Sequence, residues 1–228
     1  MQFSYQQHCY IRGEHPQHVR PQVDLARMAT RRHILTGSAG VVAVWATPTI
    51  VGFGPIAAAQ TSAPGPEIPS LTPGAVLADP PPPDLSIGAV ESNTDTLVFL
   101  EAGCVILTAP IIVNRSSPGS FNGNSNENTT VPAGTKICSY FVHGDRLNLP
   151  GRLAGGATFS TNPILGLIYE TAQFNATSFL EVPGVNYAYG PAEGNDFMTL
   201  DLTPGSNTVT WDLRFGGATD QIRIITAC

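Results

Sequence analysis

The stretch Thr208-Val209-Thr210-Trp211-Asp212-Leu213-Arg214-Phe215 indicates the fold class, because polar and apolar side chains alternate along its whole length. In a β-strand, successive side chains point to opposite faces, so the apolar residues of this stretch share one face and the polar residues share the other. The pattern predicts a strand with one buried and one solvated face. The stretch 221–226 shows the same pattern, with Ile222 and Ile224 on one face.

Short runs of the same kind continue back to residue 85, separated by glycine, proline and asparagine. The turn sequences 204–207 and 216–219 fit hairpins between the last three strands, and only 172–182 has the composition of a short helix. About ten short strands predict an all-β fold, a single antiparallel β-sandwich of jelly-roll-like form, over residues 84–228. The candidate strands are 85–90, 96–101, 104–108, 111–114, 136–143, 157–160, 164–169, 197–202, 208–215 and 221–226.

The N-terminal region carries the motif Thr30-Arg31-Arg32-His33-Ile34-Leu35-Thr36, followed by an apolar run that ends at Ala57-Ala58-Ala59-Gln60. Paired arginines before an apolar stretch with a small-residue end resemble a twin-arginine (Tat) export signal. The stretch Trp45-Ala46-Thr47-Pro48-Thr49-Ile50 resembles the end of many actinobacterial leaders of this kind. The resemblance implies a signal region over 1–59 and a mature protein that is secreted, extracellular or in the cell envelope. An uncleaved N-terminal anchor is the alternative, and a translation start at Met28 is favoured because 1–27 is polar.

The mature chain from residue 60 begins with a proline-rich segment. Residues 60–83 hold eight prolines and few large apolar side chains. Such a composition cannot build a core and adopts extended, polyproline-like conformations. The sequence therefore predicts a linker over 60–83, which spaces the β domain from the site of export.

The charge of the mature chain excludes several classes of function. Beyond residue 59 there are six basic and fifteen acidic residues, a net charge of −9. Nucleic-acid binding and attachment to anionic membranes both depend on basic residues, so neither is expected, nor is stable membrane insertion after cleavage. His143 is the single histidine in this part of the chain, which excludes a zinc site built from several histidines. A glycoside hydrolase needs only two carboxylates and is not excluded.

Three cysteines remain after the leader: Cys104, Cys138 and Cys228. Disulfides form readily outside the cytoplasm. The favoured bridge is Cys104–Cys138, because both residues lie in predicted strands of the same domain. Cys138–Cys228 is the alternative, since the final strand can lie beside the strand that carries Cys138.

A family resemblance is carried by the stretches 131–143, 157–159, 163–168 and 220–226. Through them the chain, from about residue 98 to 226, resembles an uncharacterised family of secreted bacterial β-sandwich domains. In that family the first stretch tends to end in Ser-Tyr-x-x-His-x-Asp, which Ser139, Tyr140, His143 and Asp145 match here. The resemblance implies the β fold and no particular activity.

Two groups of residues are candidate ligand-binding residues. Tyr140, His143 and Asp145 lie at the end of one predicted strand, where a carboxylate beside an imidazole can fix its tautomer. The alternative is that His143 caps the strand. Tyr187 and Tyr189 lie in a glycine-bounded loop, 184–190, where exposed rings would stack on sugars. Packing at the edge of the core is the alternative for this pair.

No catalytic residues and no cofactor are expected, and calcium is the metal left open. Asp220 with Asp145 or Asp212 would supply carboxylate ligands, although the six or more oxygens that calcium needs are not evident and a turn-capping role is the alternative for Asp220.

These observations favour a secreted, non-catalytic module that binds a surface polysaccharide, a cell-wall component or an exported protein. The alternatives are a structural envelope protein and an extracellular, carboxylate-based glycoside hydrolase. A buried pair of carboxylates with raised pKa values would favour the hydrolase. An exposed aromatic strip beside 184–190 would favour the binding module.

Overall fold

The computed structural model describes residues 65–228, so the predicted signal region, the alternative start at Met28 and 60–64 lie outside the described residues. The elements within 65–228 are short strands, one α-helix and one 3-10 helix. The strands are β1 (Ser70–Leu71), β2 (Ala75–Leu77), β3 (Thr96–Ile106), β4 (Ile111–Val113), β5 (Gly119–Asn122), β6 (Thr129–Val131), β7 (Lys136–Gly144), β8 (Gly151–Phe159), β9 (Ile164–Ile168), β10 (Phe197–Thr203), β11 (Ser206–Phe215) and β12 (Asp220–Ala227). The helix α1 is Thr171–Ala176, and the 3-10 helix is Ser178–Leu180.

The strands form two five-stranded sheets, which confirms the all-β prediction. The first sheet has the order β1-β8-β11-β10-β5, and the second has the order β2-β3-β7-β12-β9. A separate pair is made by β4 and β6. All strand pairs are antiparallel except β2 with β3, which are parallel, so the expectation of a wholly antiparallel structure is corrected at that edge.

The main core lies between the inward faces of the two sheets, as in a sandwich. Val209, Trp211, Leu213 and Phe215 of β11 are buried there together with Ile222 and Ile224 of β12, as the alternation predicts. The Trp211 indole Nε1 donates a hydrogen bond to Thr96 Oγ1 of the second sheet, at 3.0 Å. This bond satisfies a buried donor and ties the two sheets together.

The second sheet is covered on its other face as well. Helix α1, the 3-10 helix and the following segment 181–189 pack over that face. There Phe174 of α1 joins Phe141 of β7 and Ile225 of β12 in a second apolar cluster. As a result β12 is buried along almost its whole length, on both faces. The short helix expected over 172–182 is present, divided into the two helical turns.

The segment predicted as a linker is part of the folded unit from residue 65 onward. It supplies β1, which pairs with β8, and β2, which pairs with β3. The Glu67 carboxylate accepts hydrogen bonds from the backbone N–H groups of Ser160, Thr161 and Asn162. Partial burial alone would raise the pKa of Glu67, but the hydrogen bonds from Ser160 and Thr161 lower it to about 2. The domain boundary predicted at 83/84 is therefore corrected.

Other local predictions need correction. The stretch 85–90 forms no strand, and Leu85 is instead a buried residue of the second apolar cluster. The stretch 104–108 is not separate, because most of it continues β3 beyond a bulge. The turn 216–219 does not close a hairpin, since β11 and β12 lie in different sheets and the turn carries the chain from one to the other. The hairpin turn at Pro204-Gly205 is as predicted.

The disulfide of the structure joins Cys138 and Cys228, with their Cα atoms 5.7 Å apart. The expected Cys104–Cys138 bridge is thereby corrected in favour of the alternative pairing. Strand β12 runs antiparallel to β7 with Thr226 opposite Cys138, so Cys228 follows directly beside that strand. Cys104 Sγ lies 3.8 Å from Cys138 Sγ, well beyond the bonded distance of about 2.05 Å.

Candidate functional site

Tyr140 and His143 lie inside the fold rather than on a ligand-facing surface. Both side chains are about 1% exposed, because β7 is covered on both faces. The Tyr140 hydroxyl donates to the Glu67 carbonyl, and burial raises the pKa of Tyr140 to about 12. Burial lowers the pKa of His143 to about 4, so its imidazole is neutral at pH 7. Gln221 Nε2 lies 3.0 Å from His143 Nδ1, which fits donation by the amide to that nitrogen.

Asp145 is also buried, and it holds a loop. Its carboxylate accepts a hydrogen bond from the Gly88 N–H at 2.7 Å, and its backbone carbonyl accepts one from the Ser92 N–H. These contacts fix the segment 84–92 against the end of β7. The three residues of the predicted cluster are thus placed in the core and at its edge.

Tyr187 and Tyr189 pack against the second sheet and form no exposed strip. The Tyr187 ring meets Phe141 edge-on with centroids 5.2 Å apart, and the Tyr189 ring stacks on Phe174 at 4.8 Å. Their hydroxyls are engaged too, since Tyr187 accepts from the Val182 N–H and Tyr189 donates to Glu181. Tyr187 and Tyr189 therefore pack at the edge of the core, which is the alternative that the sequence left open for this pair.

The three aspartates expected as calcium ligands are engaged in different places. Asp145 binds the Gly88 N–H, while Asp212 pairs through both oxygens with Arg152 of the neighbouring strand. Asp220 lies at the start of β12. Within residues 65–228, the single group of three side chains with ligand atoms close enough for a metal ion is Cys104, Cys138 and Cys228.

A buried ion pair was not foreseen from the sequence. Arg223 Nε and Nη2 donate to the two carboxylate oxygens of Glu101, at 2.6 and 2.8 Å, and both side chains are fully buried. The Ser139 hydroxyl also donates to Glu101, and Arg223 reaches Thr177 at the end of α1. Burial alone would lower the pKa of Arg223, but the charge of Glu101 raises it. The signal in the sequence is a charged residue between two apolar neighbours in a strand, Glu101 between Leu100 and Ala102 and Arg223 between Ile222 and Ile224.

Within residues 65–228, no helix or strand packs over the outer face of the first sheet. Because side chains alternate along β8, β10 and β11, the residues between the core positions all point outward. Cross-strand hydrogen bonds join Thr158 to Thr208 and Ser120 to Thr199. We define this outer face by the residues Ser120, Arg152, Thr158, Phe197, Thr199, Thr208, Thr210, Asp212 and Arg214.

Phe197 is the exposed aromatic ring on the outer face. Its neighbours in the sheet register are Asn122 of β5 and Asp212 of β11. The ring is 47% exposed, and the Arg214 guanidinium carbon lies 5.4 Å from its centroid. The Phe197 ring is thus exposed to solvent and surrounded by hydroxyl, carboxylate and guanidinium groups.

One end of the outer face opens into surface depressions that meet at Glu193. Their volumes are about 480, 560 and 380 Å³, and each is lined in part by Glu193. We call the combined depression the Glu193 groove; its other polar lining residues are Asn124, Arg152, Glu170, Thr171, Asn195, Arg214 and Asp220. The Asp196 carboxylate holds the loop in place by accepting from the Glu193 and Arg214 N–H groups.

Asp220 is the most perturbed acid of the groove. Its side chain lines the depression with Glu193 and Arg214, yet the residue is only 3% exposed. Burial, followed by the negative charges of Asp196 and Glu193, raises the pKa of Asp220 to about 8. The pKa of Asp196 is raised as well, chiefly by burial. At pH 7 Asp220 is therefore mostly a neutral acid that can donate a proton.

The chain matches no family model, and no curated protein or solved structure matches it. The resemblance to secreted bacterial β-sandwich domains therefore stays a prediction. In the part of the chain that the structure describes, none of the helices has the length and apolar character needed to span a bilayer.

Proposed function

We propose that this protein is a secreted, non-catalytic module that binds a polysaccharide on the outer face of the first sheet. The observation that carries the proposal is Phe197, a half-exposed ring surrounded by hydrogen-bonding groups. Sugar rings have apolar faces that stack on aromatic rings, and hydroxyl edges that need donors and acceptors. The proposed binding surface therefore lies on the first sheet, and not at Tyr187 and Tyr189, where the sequence predicts it.

The shape of the surface fits an extended chain rather than a compact ligand. Neighbouring strands are about 4.8 Å apart, so the four strands β5, β10, β11 and β8 present a face about 14 Å wide. The Glu193 groove continues this face at one end through Arg214 and Arg152. A polymer lying across Phe197 would therefore meet further polar side chains in the groove.

The charge of the protein restricts the class of polysaccharide. After residue 59, fifteen acidic residues stand against six basic ones. A polyanionic polymer would be repelled by this field, so the proposed ligand is uncharged or carries amino groups. Export through the predicted twin-arginine leader would bring the protein into contact with polymers of the cell surface.

Replacing Phe197 with alanine tests the proposal. We expect binding of the purified protein to its polysaccharide, found by screening a panel of neutral and amino-sugar polymers and cell-wall fractions, to weaken at least tenfold, or about 1.4 kcal/mol. The matched control is Phe179→Ala, which removes a similarly exposed ring from the 3-10 helix on the other side of the fold. Equal affinity of Phe197→Ala and wild type, or an equal loss in both variants, would contradict the proposal.

A second candidate function, polysaccharide hydrolysis, is favoured by two buried carboxyl groups with raised pKa values, Asp220 and Asp196. A general acid is most effective when its pKa lies near the working pH, and Asp220 has such a pKa beside the second carboxylate Glu193. If the protein is a hydrolase, new reducing ends will appear in the bound polymer, and Asp220→Asn will stop their release while leaving binding intact. Absence of new reducing ends from every polymer that binds would eliminate this candidate.

A further inference from the structure

Asp220 carries a buried carboxyl group that faces the Glu193 groove without a partner. The residue is 3% exposed, lies where β12 begins, and lines the groove together with Glu193 and Arg214. Its backbone pairs with Gly144 of β7, but its carboxyl group makes no hydrogen bond or ion pair with any residue of 65–228. A buried polar group without a partner costs free energy. Its position on an open depression therefore indicates a ligand that supplies the missing donor.

The acids and the histidine near Asp220 do not supply that donor. Asp196 and Glu193 are negative, and their charges add to burial in raising the pKa of Asp220 to about 8. On the side of β7, burial keeps His143 neutral, and the Asp145 carboxylate already accepts the N–H of a glycine in the segment 84–92. The surroundings thus favour a positively charged ligand, which would be attracted by all three acids of the groove end.

The two arginines of the groove are engaged elsewhere. The Arg214 guanidinium carbon lies 5.4 Å from the centre of the Phe197 ring, and Arg152 pairs with both carboxylate oxygens of Asp212. Neither arginine forms an ion pair with Asp220. The place of a cation beside Asp220 is therefore open to a ligand.

The spacing of the acids favours an ammonium group over a metal ion. A divalent cation needs several ligand atoms close together, and within residues 65–228 that spacing is found for three cysteines and not for the acids of the groove. An ammonium group has three N–H donors, so one carboxylate and neutral acceptors satisfy it. The groove wall beside Asp220 is formed by Gly216, Gly217 and Ala218, whose exposed backbone can supply neutral acceptors.

We propose that Asp220 binds the amino group of an amino-sugar unit, and so selects polysaccharides with free amines over neutral ones. The inference rests on the proposed function, because the same polymer lies across Phe197 and enters the Glu193 groove. An ammonium group beside Asp220 favours the carboxylate, so the proton of the acid is released to solvent when the ligand binds. The N–H of the ammonium group then donates a charge-assisted hydrogen bond to that carboxylate.

Binding of two matched oligomers tests the selection. The probes are soluble oligomers of glucosamine and the same oligomers with every amine acetylated, compared at about pH 6, below the ordinary pKa range of amines. We expect the wild type to bind the glucosamine oligomer about tenfold more tightly, and Asp220→Asn to bind the two oligomers equally. Asp79→Asn is the matched control, because it removes an exposed carboxylate outside the groove and should keep the preference. Equal binding of both oligomers by the wild type, or a preference that survives in Asp220→Asn, would overturn the inference.

The same titrations separate this inference from the proposed function. If Phe197→Ala weakens binding of both oligomers while the wild type binds them equally, the outer face binds sugars and the amine selection is wrong. If neither oligomer binds to the wild type, the inference is overturned. The other polymers of the panel then decide the proposed function through Phe197→Ala.

Proton release gives a second reading that a purely structural role of Asp220 would not change. Calorimetric titrations in two buffers with different ionisation enthalpies count the protons released as the glucosamine oligomer binds. At about pH 6 we expect the wild type to release about one more proton per bound amine than Asp220→Asn does. Equal proton release from the two proteins would contradict ionisation of Asp220 on binding.

Discussion

Replacing Arg223 with methionine is expected to lower the free energy of unfolding by about 3–5 kcal/mol, because it leaves the Glu101 carboxylate in the core without its counter-charge. Both side chains are fully buried, and the pair is bidentate. Arg223 also stacks near Phe141 and Phe174 and contacts the end of α1 through Thr177. The variant should therefore loosen the helical cover of the second sheet as well, measured by denaturant unfolding and hydrogen exchange.

Two controls separate loss of the buried charge pair from general damage. Arg152→Met removes an arginine of the outer face whose side chain is 60% exposed, and exposed pairs of this kind contribute about 1 kcal/mol or less. The double variant Glu101→Leu with Arg223→Met removes both charges, and should recover much of the stability lost in the single variant. An Arg223→Met variant no less stable than Arg152→Met would show that the buried Glu101–Arg223 pair does not stabilise the fold.

Replacing Asp220 with asparagine is expected to stabilise the protein at alkaline pH. In the unfolded chain Asp220 ionises near its ordinary pKa of 3.8, whereas in the folded protein its pKa is about 8. Between these values the folded state holds a proton that the unfolded state has lost, so stability falls as pH rises through this window. Above about pH 8 the penalty is complete, on the order of 2–5 kcal/mol, and the uncharged amide of the substituted side chain avoids it.

The measurement is the free energy of unfolding of wild type and Asp220→Asn across the range from about pH 4 to about pH 9. The two curves should lie close together at the acid end and separate progressively toward the alkaline end. Asp201→Asn is the matched control, because this aspartate is exposed and hydrogen bonds from Thr203 lower its pKa rather than raise it, so this variant should show no such separation from wild type toward alkaline pH. A constant difference between wild type and Asp220→Asn at all pH values would refute the raised pKa.

The sequence predicts the strands of the main core well, because their side chains alternate over many residues. The whole of β11 reads as half-buried, and its four apolar side chains are all in the core. Strands β1 and β2 could not be predicted, since they are two and three residues long and depend on pairing with distant strands. Gly74 shows this dependence: its φ is +87°, and a Cβ there would strike the Ala154 carbonyl.

The site residues were harder to predict than the strands for a physical reason. Alternation shows which residues share a face but not whether another element covers that face. The segment 184–190 reads as a free aromatic loop, yet Tyr187 and Tyr189 complete the cover of the second sheet together with Phe174 of α1. The sequence does not mark Phe197 as a site residue, because it is the first residue of a predicted strand and belongs to no recognisable motif. Its exposure follows from the structure, in which no helix or strand of residues 65–228 packs over the outer face of the first sheet.

The most direct test of polysaccharide binding on the outer face is a residue-by-residue map of the contact surface, by NMR chemical-shift changes as a binding polymer from the panel is added. We predict that the changes concentrate on β10, β11 and β8, at Phe197, Thr199, Thr210 and the Arg214 side chain. The chemical shifts of residues in the second apolar cluster, such as Phe141 and Tyr189, should not change. Chemical-shift changes centred on 181–189 or on β7, with none on the outer face, would contradict polysaccharide binding on the first sheet. They would instead place the binding site at Tyr187 and Tyr189.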